Sequence, residues 1–140
     1  MPESTIAIVG IGPVAGWFDQ STGVIEVGET LDPALVFHEV GHAWFNDDFS
    51  LSRWINEGLA ETYANLLLER AGATARQPIV PTAGAPGAQP LSEWDFPVTL
   101  PPDADSERYG YETSHFVVDA LVDEVGLDAM ADVLTAMERD

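Results

Sequence analysis

Residues Val36–Phe45 read VFHEVGHAWF, and this stretch decides how the rest of the chain is interpreted. His38 and His42 are four residues apart, so a helix of about 3.6 residues per turn stacks their imidazoles on one face. Both rings can then reach a single metal ion. Glu39 lies on a neighbouring face and is not expected to be a ligand. Its carboxylate is expected beside whatever water molecule the metal holds.

The first helix is predicted to begin at Asp32 and Pro33 and to extend to about Phe45. Asp32 can cap the helix, and proline suits the first helical turn. Gly41 costs up to about 1 kcal/mol relative to alanine inside a helix. A glycine at this point indicates close packing beside the metal.

A second helix is predicted from Ser52, a capping residue, to Ala71, with Gly72 ending it. The connector, residues 46–51, is short, so the two helices should be antiparallel neighbours. Residues equidistant from the connector then face one another.

Two carboxylates of the second helix therefore compete for the metal. Glu57 lies level with His42, and Glu61, one turn further along, lies level with His38. Two histidines and one glutamate, with an open fourth position, form the ligand set of a hydrolytic zinc site. The spacing predicts Zn²⁺ as the cofactor.

Composition limits the classes of partner. The 140 residues form one domain, 1–140, with 24 acidic and 5 basic residues and a net charge of −19. The negative electrostatic field of such a chain repels nucleic acid and anionic membranes, and it attracts cations or basic partners. No cysteine is present, so only histidine, aspartate and glutamate can bind a metal. No apolar run approaches about 20 residues and no signal peptide is visible, which leaves the compartment open.

The remaining segments predict an α+β fold. Strands are expected at Ile6–Val9 and Gly23–Val27, with Val14–Phe18 pairing as a hairpin with the latter. Two C-terminal helices are expected at 106–125 and 128–137. The architecture is then a small, mostly antiparallel sheet on the two metal-binding helices, with two further helices below the cleft.

Residues 73–107 form a loop rich in proline, alanine and glycine, without helical or strand periodicity. A loop of this length in a compact domain is usually functional or mobile. Trp94, Phe96 and Val98 predict that its middle packs against the domain. A lid over the cleft and a wrap along the surface both remain open.

The two helical segments resemble the gluzincin metallopeptidases, in particular the aminopeptidase-N-like superfamily, with more distant thermolysin-like relatives. The resemblance lies in His42–Asn46, following the H-E-x-x-H pattern, and in Trp54–Ala60, which reads WINEGLA. It implies a zincin-like fold and zinc-dependent hydrolysis of a peptide or protein substrate. It also implies that Glu57 is the third metal ligand and that Glu39 is the general base.

One departure concerns the spacing of the third ligand. Glu61 has the family's distance from the second histidine, whereas Glu57 lies four residues nearer. Glu57 is preferred because the surrounding motif and the antiparallel arrangement agree on it. Glu61 then accepts the other ring N–H of His38, which fixes the tautomer of that ring.

The resemblance extends to Tyr111-Glu112, at the start of a later helix. The family's tyrosine donates a hydrogen bond to the tetrahedral oxyanion, so Tyr111 is the candidate for that role. Ser114 replaces a family glycine, and Tyr109 remains an alternative. His115 is expected to be a helix-face residue and not a ligand. It lies four residues after Tyr111, so a supporting hydrogen-bond role also stays open.

The aminopeptidases recognise the free amine of their substrate with a Gly-x-Met-Glu-Asn strand before the zinc helix. The corresponding residues 12–18 contain no carboxylate. An endopeptidase, or a catalytic core cut from a larger protein with further domains, therefore fits better than an aminopeptidase. The alternatives are a zinc-stabilised binding domain without activity and a hydrolase of another bond.

Overall fold

A computed structural model describes residues 5–9, 16–28, 31–50, 52–99 and 101–137. The chain is α+β, as predicted. Within those ranges the elements are, in chain order, β1 Thr5–Val9, β2 Gly16–Asp19, β3 Val24–Gly28, α1 Pro33–Gly41, α2 Arg53–Arg70, a 3-10 turn Leu91–Glu93, α3 Ala104–Val125 and α4 Leu127–Met137.

The three described strands form one mixed sheet in the order β1-β3-β2. The hairpin of β2 and β3 is antiparallel, as predicted, and Asp19 closes its turn by accepting from Ser21 N at 2.9 Å. β1 instead runs parallel to β3, so the expectation of a mostly antiparallel sheet holds only for the β2–β3 pair. Val14 of the predicted hairpin lies outside the described residues. Ile25 and Val27 of β3 are buried and give the sheet its apolar face.

The predicted local signals set the start of α1 and the end of α2. Ser52 lies at the N-cap of α2, but its side chain makes no capping hydrogen bond, so that part of the prediction is wrong. Asp32 caps α1 by accepting from Ala34 N, and Gly72, at φ +74°, ends α2. α1, however, ends at Gly41 and does not reach Phe45. The chain turns there through bonds from Ala43 N to Val40 O and from Trp44 N to Gly41 O, at 3.1 and 3.0 Å.

α2 is the central helix, because it packs against both α1 and α3. Gly41 of α1 lies so close to Ala60 that a Cβ there would be 3.1 Å from the Ala60 Cα. On the other side, Gly58 faces the Ser114 carbonyl of α3. The small residues allow both helices to approach α2 closely, which confirms the close packing predicted for Gly41. The core cluster adds larger apolar side chains: Phe45, Leu59, Val118, Val122 and Met130.

The segment between α2 and α3 carries only the short 3-10 turn. Trp94 is buried against Gly110 of α3, as predicted. Val98 is fully exposed and Phe96 is about half exposed, so the prediction that both pack into the domain is wrong for Val98 and only partly right for Phe96. α3 and α4 match their predicted ranges to within two residues.

Among the described residues, no helix combines the length and the apolarity needed to cross a bilayer.

Candidate metal centre

Three side-chain atoms from α1 and α2 converge on one point. His38 Nε2 and His42 Nε2 are 3.1 Å apart, and Glu57 Oε2 lies 3.2 and 3.3 Å from them. Glu57 reaches both histidines, whereas Glu61 reaches only His38. The later glutamate of α2 thus contacts the earlier histidine of α1. The two helices therefore run antiparallel, as predicted from the short connector.

The hydrogen bonds on the far side of each ring fix its tautomer. His38 Nδ1 donates to Glu61 Oε2 at 3.0 Å, and His42 Nδ1 donates to the Phe45 carbonyl at 2.9 Å. Both acceptors lack protons, so the N–H of each neutral ring is on Nδ1 and the lone pair is on Nε2. A carboxylate or backbone carbonyl behind the ring is the usual partner of a metal-binding histidine.

With both rings neutral, three lone pairs therefore point at each other. Glu57 Oε2 is buried, and no hydrogen-bond donor among the described residues satisfies it. Buried acceptors in this arrangement repel one another unless a cation lies among them. The arrangement could hold a metal ion.

The dimensions of the triangle fit a tetrahedral ion. Ligand atoms about 2.0–2.1 Å from a tetrahedral zinc lie about 3.3 Å from one another. The sides of the triangle are 3.1, 3.2 and 3.3 Å, so the donors need to move apart by only about 0.2 Å or less to accept that ion.

The proximity of the carboxylates and imidazoles shifts the pKa values of His38 and Glu57. Burial lowers the pKa of His38, but hydrogen bonds with Glu57 and Glu61 outweigh it and raise that pKa to about 10. Burial raises the pKa of Glu57, but the neighbouring imidazoles of His38 and His42 lower it to about 2. Without metal, a proton on His38 therefore takes the cation's place, and metal binding must displace it.

This proton gives the metal-free chain a distinct pH dependence of stability. A raised histidine pKa contributes stability that is complete below the unfolded value of 6.5 and lost as pH rises through about 10. We expect the thermal midpoint of the metal-free chain to fall between pH 7 and 10, measured by circular dichroism. The fall should be smaller in the zinc-loaded chain and in metal-free His38→Gln. An equal fall in metal-free His38→Gln would show that another group is responsible.

Glu39 lies outside the triangle of donors and is buried. Burial raises the pKa of its carboxyl, and Glu57 adds to that, while His38 and His42 oppose it. A carboxylate whose pKa is moved towards neutrality is suited to accept and return a proton. Gly16 of β2 packs directly on this side chain, because a Cβ on Gly16 would be 2.8 Å from both Glu39 Cγ and Oε1.

The contact with β2 makes Gly16→Ala an informative variant. The added methyl group must push the Glu39 carboxylate aside, and a shift of about 1 Å can cost about 10²-fold in rate. We expect a loss of kcat approaching that factor, with zinc affinity unchanged, because no metal-binding atom is displaced. Steady-state kinetics with a zinc competition assay measure both. Unchanged kcat would mean that the position of Glu39 is not critical.

Tyr111 of α3 is joined to the site through Arg53, the first residue of α2. Its hydroxyl accepts from Arg53 Nη2 at 3.1 Å, and Arg53 Nε lies 3.8 Å from Glu57 Oε1. Burial and the nearby Glu57 charge raise the pKa of Tyr111 to about 12, so its hydroxyl keeps its proton at neutral pH. Tyr111 as a whole residue is 42% exposed.

His115, which the sequence analysis also considered, lies on α3. His115 is not part of the triangle of donors; it is buried, and burial lowers its pKa. Its Nε2 accepts from Asn65 Nδ2 at 3.2 Å, which ties α3 to α2. It is therefore a helix-face residue and not one of the converging donors, as predicted.

Sequence reasoning missed the residues that support the donors. Asn46 donates to the His42 carbonyl at 3.0 Å, and Asn56 donates to the Ser50 carbonyl at 2.8 Å, so both hold the connector in place. Arg53 was also missed. The four-residue spacing from Arg53 to Glu57 was the available signal, because such pairs share a helix face.

Comparison of the chain with protein-family models, curated proteins and solved structures found no match.

Proposed function

We propose that this chain is a zinc-dependent peptidase that cleaves within peptide chains, on a zincin-like α+β scaffold. The observation that carries the proposal is the triangle of converging donor atoms from His38, His42 and Glu57, with the buried Glu39 next to it. His38, His42 and Glu57 would bind the metal, and Glu61 would orient His38 through its Nδ1–H.

Two histidines and a carboxylate are also the ligands of non-haem iron oxygenases. A carboxyl group that is not a ligand favours hydrolysis here, because Glu39 follows His38 directly in the sequence and is buried beside the ligands without joining them. A bound zinc would supply Lewis acidity, lowering the pKa of a water molecule to about 7 and polarising the substrate carbonyl.

The chain's own residues then divide the proton transfers and the charge stabilisation. The Glu39 carboxylate accepts the proton of the attacking water and returns it to the leaving amine. The Tyr111 hydroxyl, which stays protonated at neutral pH, donates to the oxygen that becomes negative.

The position of β2 supports a peptide as substrate. β2 is an edge strand among the described strands, and its Gly16 lies against Glu39. An extended peptide can add to such an edge through main-chain hydrogen bonds, which would bring its carbonyl groups towards the candidate base. Residues 12–18 contain no carboxylate to hold a free amine, which favours internal cleavage.

The test is digestion of a diverse peptide library by the zinc-loaded chain, read by mass spectrometry. Internal cleavage that stops when zinc is chelated and returns when it is restored supports the proposal. Release of single N-terminal residues would mean an aminopeptidase with an amine site elsewhere. Stoichiometric zinc without cleavage would overturn peptidase function and favour a zinc-stabilised binding domain.

A further inference from the structure

Arg53 is a buried cation that neither metal binding nor proton transfer requires. Its guanidinium forms a two-pronged bond with Glu107, Nη1 to Oε1 at 2.9 Å and Nη2 to Oε2 at 2.7 Å. Nη1 also donates to the Asp95 carbonyl at 3.0 Å. The group lies between aromatic rings, with its carbon 4.0 Å from the centre of the Trp94 ring.

Stability alone does not explain this arrangement. Removing a charged pair from water costs several kcal/mol per ion, so apolar residues in its place are often as stable. Arg53 is only 5% exposed, and it joins three separate parts of the chain: α2, the segment around Trp94, and α3. All three parts also involve Tyr111: its hydroxyl accepts from Arg53 of α2, its ring packs against Trp94, and it belongs to α3.

The direction of the hydrogen bond between Arg53 and Tyr111 is fixed by chemistry. A guanidinium can only donate, so the Tyr111 oxygen accepts from Nη2, and its own proton is free for another acceptor. The ring is also held edge-on against Trp94, with centroids 5.0 Å apart. The hydroxyl is therefore held as a donor, and the same guanidinium lies beside the candidate ligand Glu57.

We propose that Arg53 is a positioning residue: it holds the Tyr111 hydroxyl as a hydrogen-bond donor for the oxygen of the substrate carbonyl. The inference rests on the proposed peptidase function. Glu107 and Asp95 fix the guanidinium, and the guanidinium fixes the phenol. Lysine cannot replace it, because an ammonium lacks the planar fork that reaches Glu107, Asp95 and Tyr111 together.

The test is a double-mutant cycle of Arg53→Lys and Tyr111→Phe. Loss of an oxyanion donor lowers kcat by about 10²–10³-fold, and we expect Tyr111→Phe to fall in that range. Arg53→Lys should lower kcat by at least about 10-fold, with little change in KM. The double variant should be no slower than Tyr111→Phe alone, because residues that act as one unit are not additive. Arg108→Lys, which alters an exposed pair with Asp105, is the matched control and should keep wild-type kinetics.

A second readout does not depend on turnover. A phosphinic peptide mimics the tetrahedral intermediate, and its affinity should fall by a similar factor in Arg53→Lys and in Tyr111→Phe, without further loss in the double variant. Zinc affinity should stay unchanged in each of them. If Arg53→Lys does not fold, Glu107→Gln weakens the same anchor and should show a smaller, equally non-additive loss of kcat.

The positioning role would be overturned if the loss of kcat in the double variant equals the product of the two single losses, or if a folded Arg53→Lys keeps wild-type kcat. Either result would leave the peptidase assignment in place. A wild-type chain that binds zinc but neither cleaves peptides nor binds the phosphinic peptide would overturn both proposals.

Discussion

Glu39→Gln is expected to lower kcat for peptide hydrolysis by about 10²–10⁴-fold while zinc remains bound, because a positioned general base contributes a factor of that size. Glutamine keeps the shape of the side chain but cannot accept the proton. Glu39 is not one of the converging donors, so zinc affinity should change by less than about threefold. Steady-state kinetics and competition with a zinc-chelating dye measure the two quantities.

The stability of this variant gives an independent check. Burial raises the pKa of Glu39, which means that folding penalises the charged carboxylate. A neutral glutamine removes that penalty, so we expect the metal-free thermal midpoint to be equal to or higher than that of the wild type. Functional residues often have this cost to stability.

Glu69→Gln, at an exposed position of α2, is the matched control and should leave both activity and zinc affinity unchanged. Strong residual activity in Glu39→Gln would remove Glu39 from the mechanism. Loss of zinc from Glu39→Gln would instead make Glu39 part of the metal site.

The second large effect separates the two glutamates of α2. Glu57→Gln should weaken zinc binding by more than about 10²-fold, because it removes the anionic donor that lies 3.2 and 3.3 Å from the two imidazoles. Glu61→Gln should weaken it by about 10–100-fold, the range for a residue that only orients a ligand. The amide oxygen can still accept from His38 Nδ1, which explains the smaller loss.

When zinc is limiting, Glu57→Gln should also lower kcat/KM more than Glu61→Gln does. A greater loss of zinc affinity in Glu61→Gln than in Glu57→Gln would reverse the assignment and restore the spacing found in the aminopeptidase-N-like family. Isothermal titration with zinc at fixed pH distinguishes the outcomes.

Much of the candidate site could be predicted because its signals are local. The four-residue spacing of His38 and His42 fixes one helical face. The short connector fixes the direction of the next helix, which brought Glu57 level with His42 and Glu61 level with His38. Capping by Asp32 and the positive φ of Gly72 are likewise set by the residues themselves.

What the sequence did not predict depends on contacts between distant residues. Arg53 contacts Glu107, which is 54 positions away, and no local sequence pattern predicts such a pair. The parallel pairing of β1 with β3 also depends on tertiary contacts, since the sequence of a strand alone does not specify which strand it pairs with. α1 ends four residues before the predicted Phe45 because the chain turns at His42, whose Nδ1 donates to the Phe45 carbonyl and whose own carbonyl accepts from Asn46.

The central claim is that His38, His42 and Glu57 hold one zinc ion, and X-ray absorption at the zinc edge of the 1:1 complex tests it most directly. We predict four nitrogen or oxygen ligands at about 2.0–2.1 Å, with scattering from two imidazole rings. In Glu39→Gln this spectrum should be unchanged. Zinc surrounded by about six oxygen atoms, without imidazole scattering, would place the ion elsewhere on this acidic chain and contradict the account.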